Sequence, residues 1–151
     1  MSEMNLKQLL LLICVLSSAQ QASAQQEVTP IQVPSEVTKS IEQKFPGAGG
    51  IEWTQKKDKY KAEFKVAKTK HEVWLDKTGT VSKHQYEIKK TELPKAIVDA
   101  IAKEFSTYST HDCERTDNEG VTTYKVELKS SAGKKKVSFS ADGKVISKND
   151  D

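Results

Sequence analysis

The chain carries one pattern of residues twice, and this repetition limits the folds that it can adopt. The segment 33–45 begins with an apolar residue and a proline and then places apolar side chains at helical spacing. The segment 93–105 repeats this arrangement 60 residues later. The segment 60–81 recurs at 124–145, so the second copy has gained four residues between its helix and its second strand. Such a repeat is typical of one supersecondary unit used twice around a shared sheet or core.

Each copy opens with a predicted helix. Val37, Ile41 and Phe45 stand at positions i, i+4 and i+8, which forms one apolar stripe at helical spacing. Pro34 lies in the first turn, where its missing N–H is not needed. Pro46-Gly47 predicts the end of the first helix, and the second copy has no such stop signal, so the end of its helix is left open.

Strands follow the helix in both copies. The segment 59–66 alternates apolar and charged residues, as a strand with one buried and one solvated face does. Asp142-Gly143 is a hairpin signal, and Gly79 stands at the matching turn of the first copy. The pattern predicts two units of a helix plus a four-stranded antiparallel meander, with both helices packed on one face of a shared sheet, an α+β fold. The expected strands are 51–55, 59–66, 73–75 and 81–88, and then 109–115, 124–129, 137–139 and 144–147.

The N-terminus has the features of an export signal over residues 1–24. Lys7 precedes an unbroken apolar run from Leu9 to Leu16, and Ala22-Ser23-Ala24 offers a small-x-small cleavage site. The run is shorter than the roughly 20 residues of a membrane span, so no span is expected after cleavage. We therefore predict a linker at 25–32, a first repeat at 33–90, a second repeat at 91–151, and a periplasmic or secreted protein.

Cysteine and charge exclude several classes of function. Cleavage would remove Cys14 and leave Cys113 as the only cysteine, which rules out an intramolecular disulfide. We expect Cys113 to be buried, and pairing between molecules stays open. The net charge is +3, and acidic residues are interleaved with the lysines. This mixture differs from the one-signed basic patch of a nucleic-acid-binding protein, and no nucleic-acid partner is predicted.

Trp74 is the main candidate for partner binding. It lies between two residues expected to point into the core, so its side chain should project from the opposite, open face of the sheet. Tyr86 and His84 alternate with Val81 and are predicted to share that face. These three residues form the candidate partner-binding face, because tryptophan is enriched in binding hot spots. The alternative is that Trp74 only covers the stems of neighbouring lysines, while Trp53 is predicted to be a core residue.

No catalytic, cofactor or metal site is predicted. His71 and His84 are expected on adjacent strands but on different faces of the sheet, and a metal usually needs a third ligand. His111 and Cys113 lie two residues apart on one predicted strand, which leaves a cysteine-based hydrolase as a remote alternative. Nothing near them suggests an oxyanion hole.

One set of residues in the first copy forms a family motif: Val33, Pro34, Val37, Lys44, Phe45, Pro46, Gly47, Ile51, Trp53, Tyr60, Ala62, Phe64 and Gly79. Through these residues the chain resembles the PepSY-like family, which shares the β-lactamase-inhibitor-like fold, over residues 33 to about 148. The resemblance implies a bacterial envelope protein that binds or restrains another protein, and its motifs supply no catalytic residues that could be carried over to this chain. The second copy departs from the family pattern, since Cys113 falls near the position of Trp53.

The sequence thus predicts a non-catalytic exported binding module, an inhibitor-like or protein-interaction protein that engages another envelope or secreted protein through its exposed sheet face. An envelope structural protein, or one that binds a small peptide or glycan, is the alternative. The oligomeric state and the identity of the partner are left open.

Overall fold

The computed structural model describes residues 26–27 and 32–150, so the predicted signal peptide and most of the predicted linker lie outside the described residues. The first repeat contains one helix and four strands, and a two-residue strand precedes it. The second repeat has the same order of elements after a short 3-10 helix, Lys90–Glu92. In chain order the elements are β1 (Gln26–Glu27), α1 (Ser35–Lys44), β2 (Gly49–Lys56), β3 (Lys59–Val66), β4 (Thr69–Asp76), β5 (Val81–Ile88), α2 (Lys95–Glu104), β6 (Ser109–Asn118), β7 (Val121–Ser130), β8 (Gly133–Ser140) and β9 (Val145–Asp150).

All the described strands form one antiparallel sheet in which each strand pairs with its neighbours in sequence. The predicted α+β class and the two repeats of a helix plus a four-stranded meander are therefore confirmed. Strand β5 of the first repeat pairs with β6 of the second, which joins the two meanders into a single sheet. Neither described helix is long and apolar enough to cross a membrane.

Each helix buries its apolar stripe in a hydrophobic cluster of its own repeat. In the first cluster, Val37 and Ile41 are fully buried together with inward residues of β2, β3 and β4. In the second, Ile97 and Ile101 pack with the matching residues of β6, β7 and β8. The sheet residues of the two clusters are Trp53, Tyr60, Ala62, Phe64, Val73 and Leu75, and then Cys113, Tyr124, Val126, Leu128, Val137 and Phe139. The expected burial of Trp53 and Cys113 is confirmed.

The two helices end at equivalent residues although only the first has a Pro-Gly stop. The amide of Phe45 donates to the carbonyl of Ile41 at 2.9 Å, and the amide of Phe105 donates to that of Ile101 at 2.8 Å. Both phenylalanines then leave the helical conformation. The second helix has no stop signal from turn residues, and at its end Phe105 is packed in the second hydrophobic cluster.

A glycine in each repeat lets a hairpin turn touch the first turn of the helix. Gly79 and Gly143 have positive φ angles of 82° and 86°, a region that favours glycine. A Cβ at Gly79 would lie 2.5 Å from the carbonyl oxygen of Glu36, and one at Gly143 would lie 2.5 Å from that of Ala96. Only glycine fits this close approach of two backbones, which fixes the hairpin on its helix in both repeats.

The four residues gained by the second copy lengthen one hairpin. Strands β2 and β3 have 8 residues each, whereas β6 and β7 have 10 each. The added length extends the contact between the repeats, because Asn118 pairs with Lys83 and the amide of Glu119 donates to the carbonyl of Ser82 at 3.0 Å.

Candidate functional site

A β-bulge in β5 decides which side chains share a face of the sheet. Trp74 pairs with Lys83 but Leu75 pairs with Val81, so Ser82 is an extra residue in β5. The extra residue reverses the alternation beyond it, and His84 therefore lies opposite the buried Val73. Directly opposite residues of an antiparallel pair point to the same face. The expectation that His84 and Tyr86 share the open face with Trp74 is wrong, and their role in partner binding stays a prediction without that support.

Trp74 itself projects from the face opposite Val73, as predicted, and is held there by polar neighbours. We call the surface formed by Lys61, Glu72, Trp74 and Lys83 the Trp74 face. The indole Nε1 donates to Glu72 Oε1 at 2.8 Å, and the Lys61 Nζ lies 5.9 Å from the indole centroid. Lys83 Nζ also reaches Glu72 Oε1, at 3.2 Å. The indole is half-buried and held in one orientation by these contacts.

Glu72 is the anchor of this arrangement. Its partial burial raises the pKa of the carboxyl group, but the hydrogen bond from Trp74 and the attraction of Lys83 outweigh burial, so the pKa is lowered overall. Glu72 therefore stays ionised at neutral pH and keeps accepting from the indole.

Ion pairs continue across this side of the sheet. Glu63 contacts Lys61 at 3.2 Å and Lys70 at 3.8 Å, and Glu114 contacts Lys125 at 2.5 Å. The surface is thus a mosaic of both signs. In the second repeat the residue at the position of Trp74 is Ser138, which pairs with Lys125 as Trp74 pairs with Lys61. Among the described residues, the outward-facing tryptophan at this position therefore occurs in the first repeat and not in the second.

His71 and His84 lie side by side, contrary to the expectation that they face different sides of the sheet. The bulge at Ser82 brings His84 to the face of His71, and His71 Nδ1 is 2.9 Å from His84 Nε2. The ring planes are inclined by 14° and their centroids are 5.2 Å apart, so the rings meet edge to edge. This is the geometry of an N–H···N hydrogen bond, in which one imidazole donates and the other accepts.

Three aromatic rings surround the two imidazoles. The Tyr86 ring stacks on His84 with a centroid distance of 4.6 Å, and Phe64 lies parallel to His71 at 5.5 Å. Phe45, the residue at the end of α1, sets its edge against His84 at 5.0 Å. We call these five residues the histidine cluster.

The histidine cluster disfavours charge on its imidazoles. Burial lowers the pKa of His84 to about 4, with help from the nearby His71 and Arg115 and against the attraction of Asp117. Burial also lowers the pKa of His71, against the attraction of Glu87. Both imidazoles are therefore neutral at pH 7. The sequence contains a signal for the inward direction of His84 and Tyr86. They stand two and four residues before Ile88 on one strand, and Ile88 packs against the second hydrophobic cluster.

A second β-bulge, in β6, gathers His111, Asp112 and Glu127. Two residues of β6 stand here opposite Glu127 alone. His111 Nδ1 lies 2.7 Å from Asp112 Oδ2 and 3.7 Å from Glu127 Oε1, close enough for one cation. Lys129 and Lys134 already contact the same Glu127 oxygen, at 3.3 Å and 3.7 Å. These two ammonium groups already neutralise the negative charge of Glu127 that a metal ion would need.

Cys113 is unsuited to nucleophilic chemistry. It is 3% exposed, inside the second hydrophobic cluster, and burial and the charge of Asp112 raise the pKa of its thiol to about 11. His111 instead contacts Glu127. Glu127 lies between two residues of β7 that are buried in that cluster, so its own side chain points to the opposite face of the sheet. The bulge therefore separates His111 from Cys113, although two residues so close on a regular strand would share a face.

The fold and its surfaces define a class: a tandem-repeat α+β protein with one long antiparallel sheet. The family model described as beta-lactamase-inhibitor-like, PepSY-like matches this chain twice, over residues 20–81 and 58–147. The chain belongs to this PepSY-like family. Among curated proteins, none matches it.

Solved structures of Bacteroides proteins share the fold. A DUF2874 family protein from Bacteroides uniformis is 21% identical with a TM-score of 0.64, and the match covers 78% of this chain and 88% of that one. A protein from Bacteroides eggerthii described among "putative periplasmic proteins" is 23% identical with a TM-score of 0.66 and the same coverage. A BLIP-like protein from Bacteroides fragilis is 24% identical with a TM-score of 0.60, covering 78% of this chain and 86% of that one.

Proposed function

We propose that this protein is a non-catalytic module of the bacterial envelope, periplasmic or secreted, that binds another protein through the Trp74 face in an inhibitor-like manner. The observation that carries the proposal is Trp74 itself, a half-buried indole fixed in mid-strand by Glu72 and Lys61. A fixed aromatic side chain loses little conformational entropy on binding, which is why such residues serve as anchors.

We infer further that both helices cover the sheet face opposite Trp74. Cross-strand pairs support this inference, since Val73 pairs with His84, Tyr86 with Arg115, and Arg115 with Tyr124. Paired residues share a face, so this series links the first hydrophobic cluster to the second. On this view the Trp74 face has no helix over it and is available to a partner.

The charge mosaic around Trp74 fits a folded protein as partner. Paired charges of both signs provide hydrogen-bonding groups at the rim of an interface and favour partners with a complementary pattern. The membership in a beta-lactamase-inhibitor-like family and the BLIP-like neighbour support an inhibitory role.

Affinity capture tests this proposal. The purified chain is immobilised, envelope extract of the producing organism is passed over it, and retained proteins are identified by mass spectrometry. Trp74→Ala should weaken capture of the specific partner by about 2 kcal/mol, a typical hot-spot effect. Ser138→Ala, at the equivalent position of the second repeat, is the matched control and should leave capture unchanged. Equal capture by the native chain and Trp74→Ala would exclude Trp74 as the anchor.

A small-ligand role is the second candidate, since an open groove of about 490 Å³ lies beside β2 and β3. Its volume falls in the range of ligand sites. A peptide or a glycan could bind along it through its charged residues. Calorimetric titration with peptide and glycan collections tests this candidate. The absence of measurable heat would reject it. The lining residues are Gly49, Gly50, Glu52, Glu63, Phe64, Lys65 and Lys70.

A further inference from the structure

We propose that His71 and His84 form a proton-sensitive clasp, which holds the C-terminal end of α1 on β4 and β5 at neutral pH and releases it in acid. The clasp is a property of the first repeat and does not depend on the partner proposed above. It rests on the edge-to-edge contact of the two imidazoles and on the ring of Phe45 packed against both.

The hydrogen bond between the imidazoles tolerates one added proton but not two. With both rings neutral, or with one ring charged, a single N–H can point at a free lone pair. When both rings are charged, an N–H of each ring points at the other across 2.9 Å, and two positive charges meet in a partly buried site. The rings must then move apart, and the edge of Phe45 loses its packing surface.

The neighbours of the clasp do little to offset two positive charges. Phe45 of α1, Phe64 of β3 and Tyr86 of β5 present uncharged rings. From β5, Glu87 favours a charged His71. From β6, Asp117 favours a charged His84 and Arg115 opposes it.

Asp117 is already engaged by other groups. Arg115 makes three hydrogen bonds to its carboxylate, at 2.9–3.2 Å, and the Thr122 hydroxyl donates a fourth at 2.6 Å. The carboxylate opposite His84 is therefore committed to other donors, and the clasp stays sensitive to a second proton.

The second repeat shows what these positions look like without a clasp. Lys135 stands where the first repeat has His71, Lys148 where it has His84, and Asp150 where it has Tyr86, as the strand registers show. Lys135 is ion-paired with Asp150, and the Lys148 Nζ lies 5.2 Å from the centroid of Phe105. The lysines keep their charge at any pH that histidine senses, so α2 serves as a built-in control for α1.

Amide hydrogen exchange on the purified chain, followed by NMR from about pH 7 to pH 4, tests the proposal. The amide of Phe45, bonded to Ile41, should lose protection at least about tenfold more than that of Phe105, bonded to Ile101, after correction for intrinsic exchange. Equal loss at both amides, or none at either, would overturn the clasp.

Two further measurements make the test independent of any one variant. His84→Gln keeps a hydrogen-bonding side chain that cannot charge and should abolish the acid-induced loss at Phe45, whereas His111→Gln, outside the histidine cluster, should leave it intact. Titration of the native chain's imidazole signals covers the case in which His84→Gln fails to fold. Two linked titrations of His71 and His84, one of them far below that of a free histidine, are expected, and independent titrations of these two residues near pH 6.5 would contradict the proposal.

Discussion

The two repeats have the same backbone plan but treat one position beside the end of their helices in opposite ways. The first repeat packs two neutral imidazoles against Phe45, and the second packs the ammonium group of Lys148 against Phe105. On the other side of the sheet the first repeat carries Trp74 where the second has Ser138. The features that point to binding or to regulation therefore concentrate in the first repeat. The second repeat keeps the scaffold and fills the same positions with side chains of fixed charge or small size.

The largest expected effect concerns a feature that the repeats share. Gly79→Ala and Gly143→Ala should each destabilise the protein by about 3 kcal/mol, because a new Cβ would overlap a helix carbonyl at 2.5 Å and the φ angle is positive. Chemical denaturation measures the free energy of unfolding.

Gly120→Ala is the matched control for this pair. Its φ of 85° is nearly that of Gly143, yet nothing lies within 4 Å of the added Cβ. It should cost only about 1 kcal/mol, the backbone strain alone. An equal cost at all three positions would show that the contact with the helix contributes nothing.

A smaller effect should appear in the pH dependence of the free energy of unfolding, and it should come from His84 of the first repeat. The folded state lowers the pKa of His84 from 6.5 to about 4, so the unfolded chain binds this proton more readily. The free energy of unfolding is then fully maintained above pH 6.5 and falls as the pH drops toward 4. The loss due to His84 should be about 1–2 kcal/mol after allowance for solvent screening, and it should be missing in His84→Gln.

His111→Gln is the control for the pH dependence, since His111 is exposed and outside the histidine cluster. The free energy of unfolding of His111→Gln should still fall as the pH drops from 6.5 to 4. Denaturation midpoints measured at several pH values in one buffer series provide the comparison. A His84→Gln protein whose midpoint falls as steeply as the native one would place the sensitive group elsewhere.

The sequence predicts the repeated order of helix and strands and the outward placement of Trp74, but not the histidine cluster, for a physical reason. Periodicity and the repeat fix the helices, the strands and the buried face, because burial of apolar side chains dominates the choice of register. A single inserted residue such as Ser82 reverses the faces of everything beyond it, and alternation counted from Val81 does not show the insertion. Alternation alone therefore places His84 and Tyr86 on the wrong face and misses their contacts with His71 and Phe45.

The same reasoning explains His111 and Cys113. Regular alternation places residues two apart on one face, but the bulge at His111 and Asp112 turns His111 toward Glu127 while Cys113 stays in the core. The sequence does not predict the helix end at Phe105 for another reason, since this end depends on tertiary packing against Tyr108 and Phe139 and not on a local stop signal.

The smallest expected effect concerns the fixation of Trp74. Trp74→Phe keeps an aromatic ring but removes the Nε1 donor to Glu72, so the free energy of unfolding should fall by about 0.5–1 kcal/mol. Ser138→Ala in the second repeat should change it by less than about 0.5 kcal/mol, since none of the hydrogen bonds described for this surface involves the Ser138 side chain. If Trp74→Phe retains full stability but loses partner capture, the indole N–H acts on the partner and not on Glu72. Loss of both in proportion would instead mean that Glu72 orients the indole for binding, which is the arrangement that distinguishes the first repeat from the second.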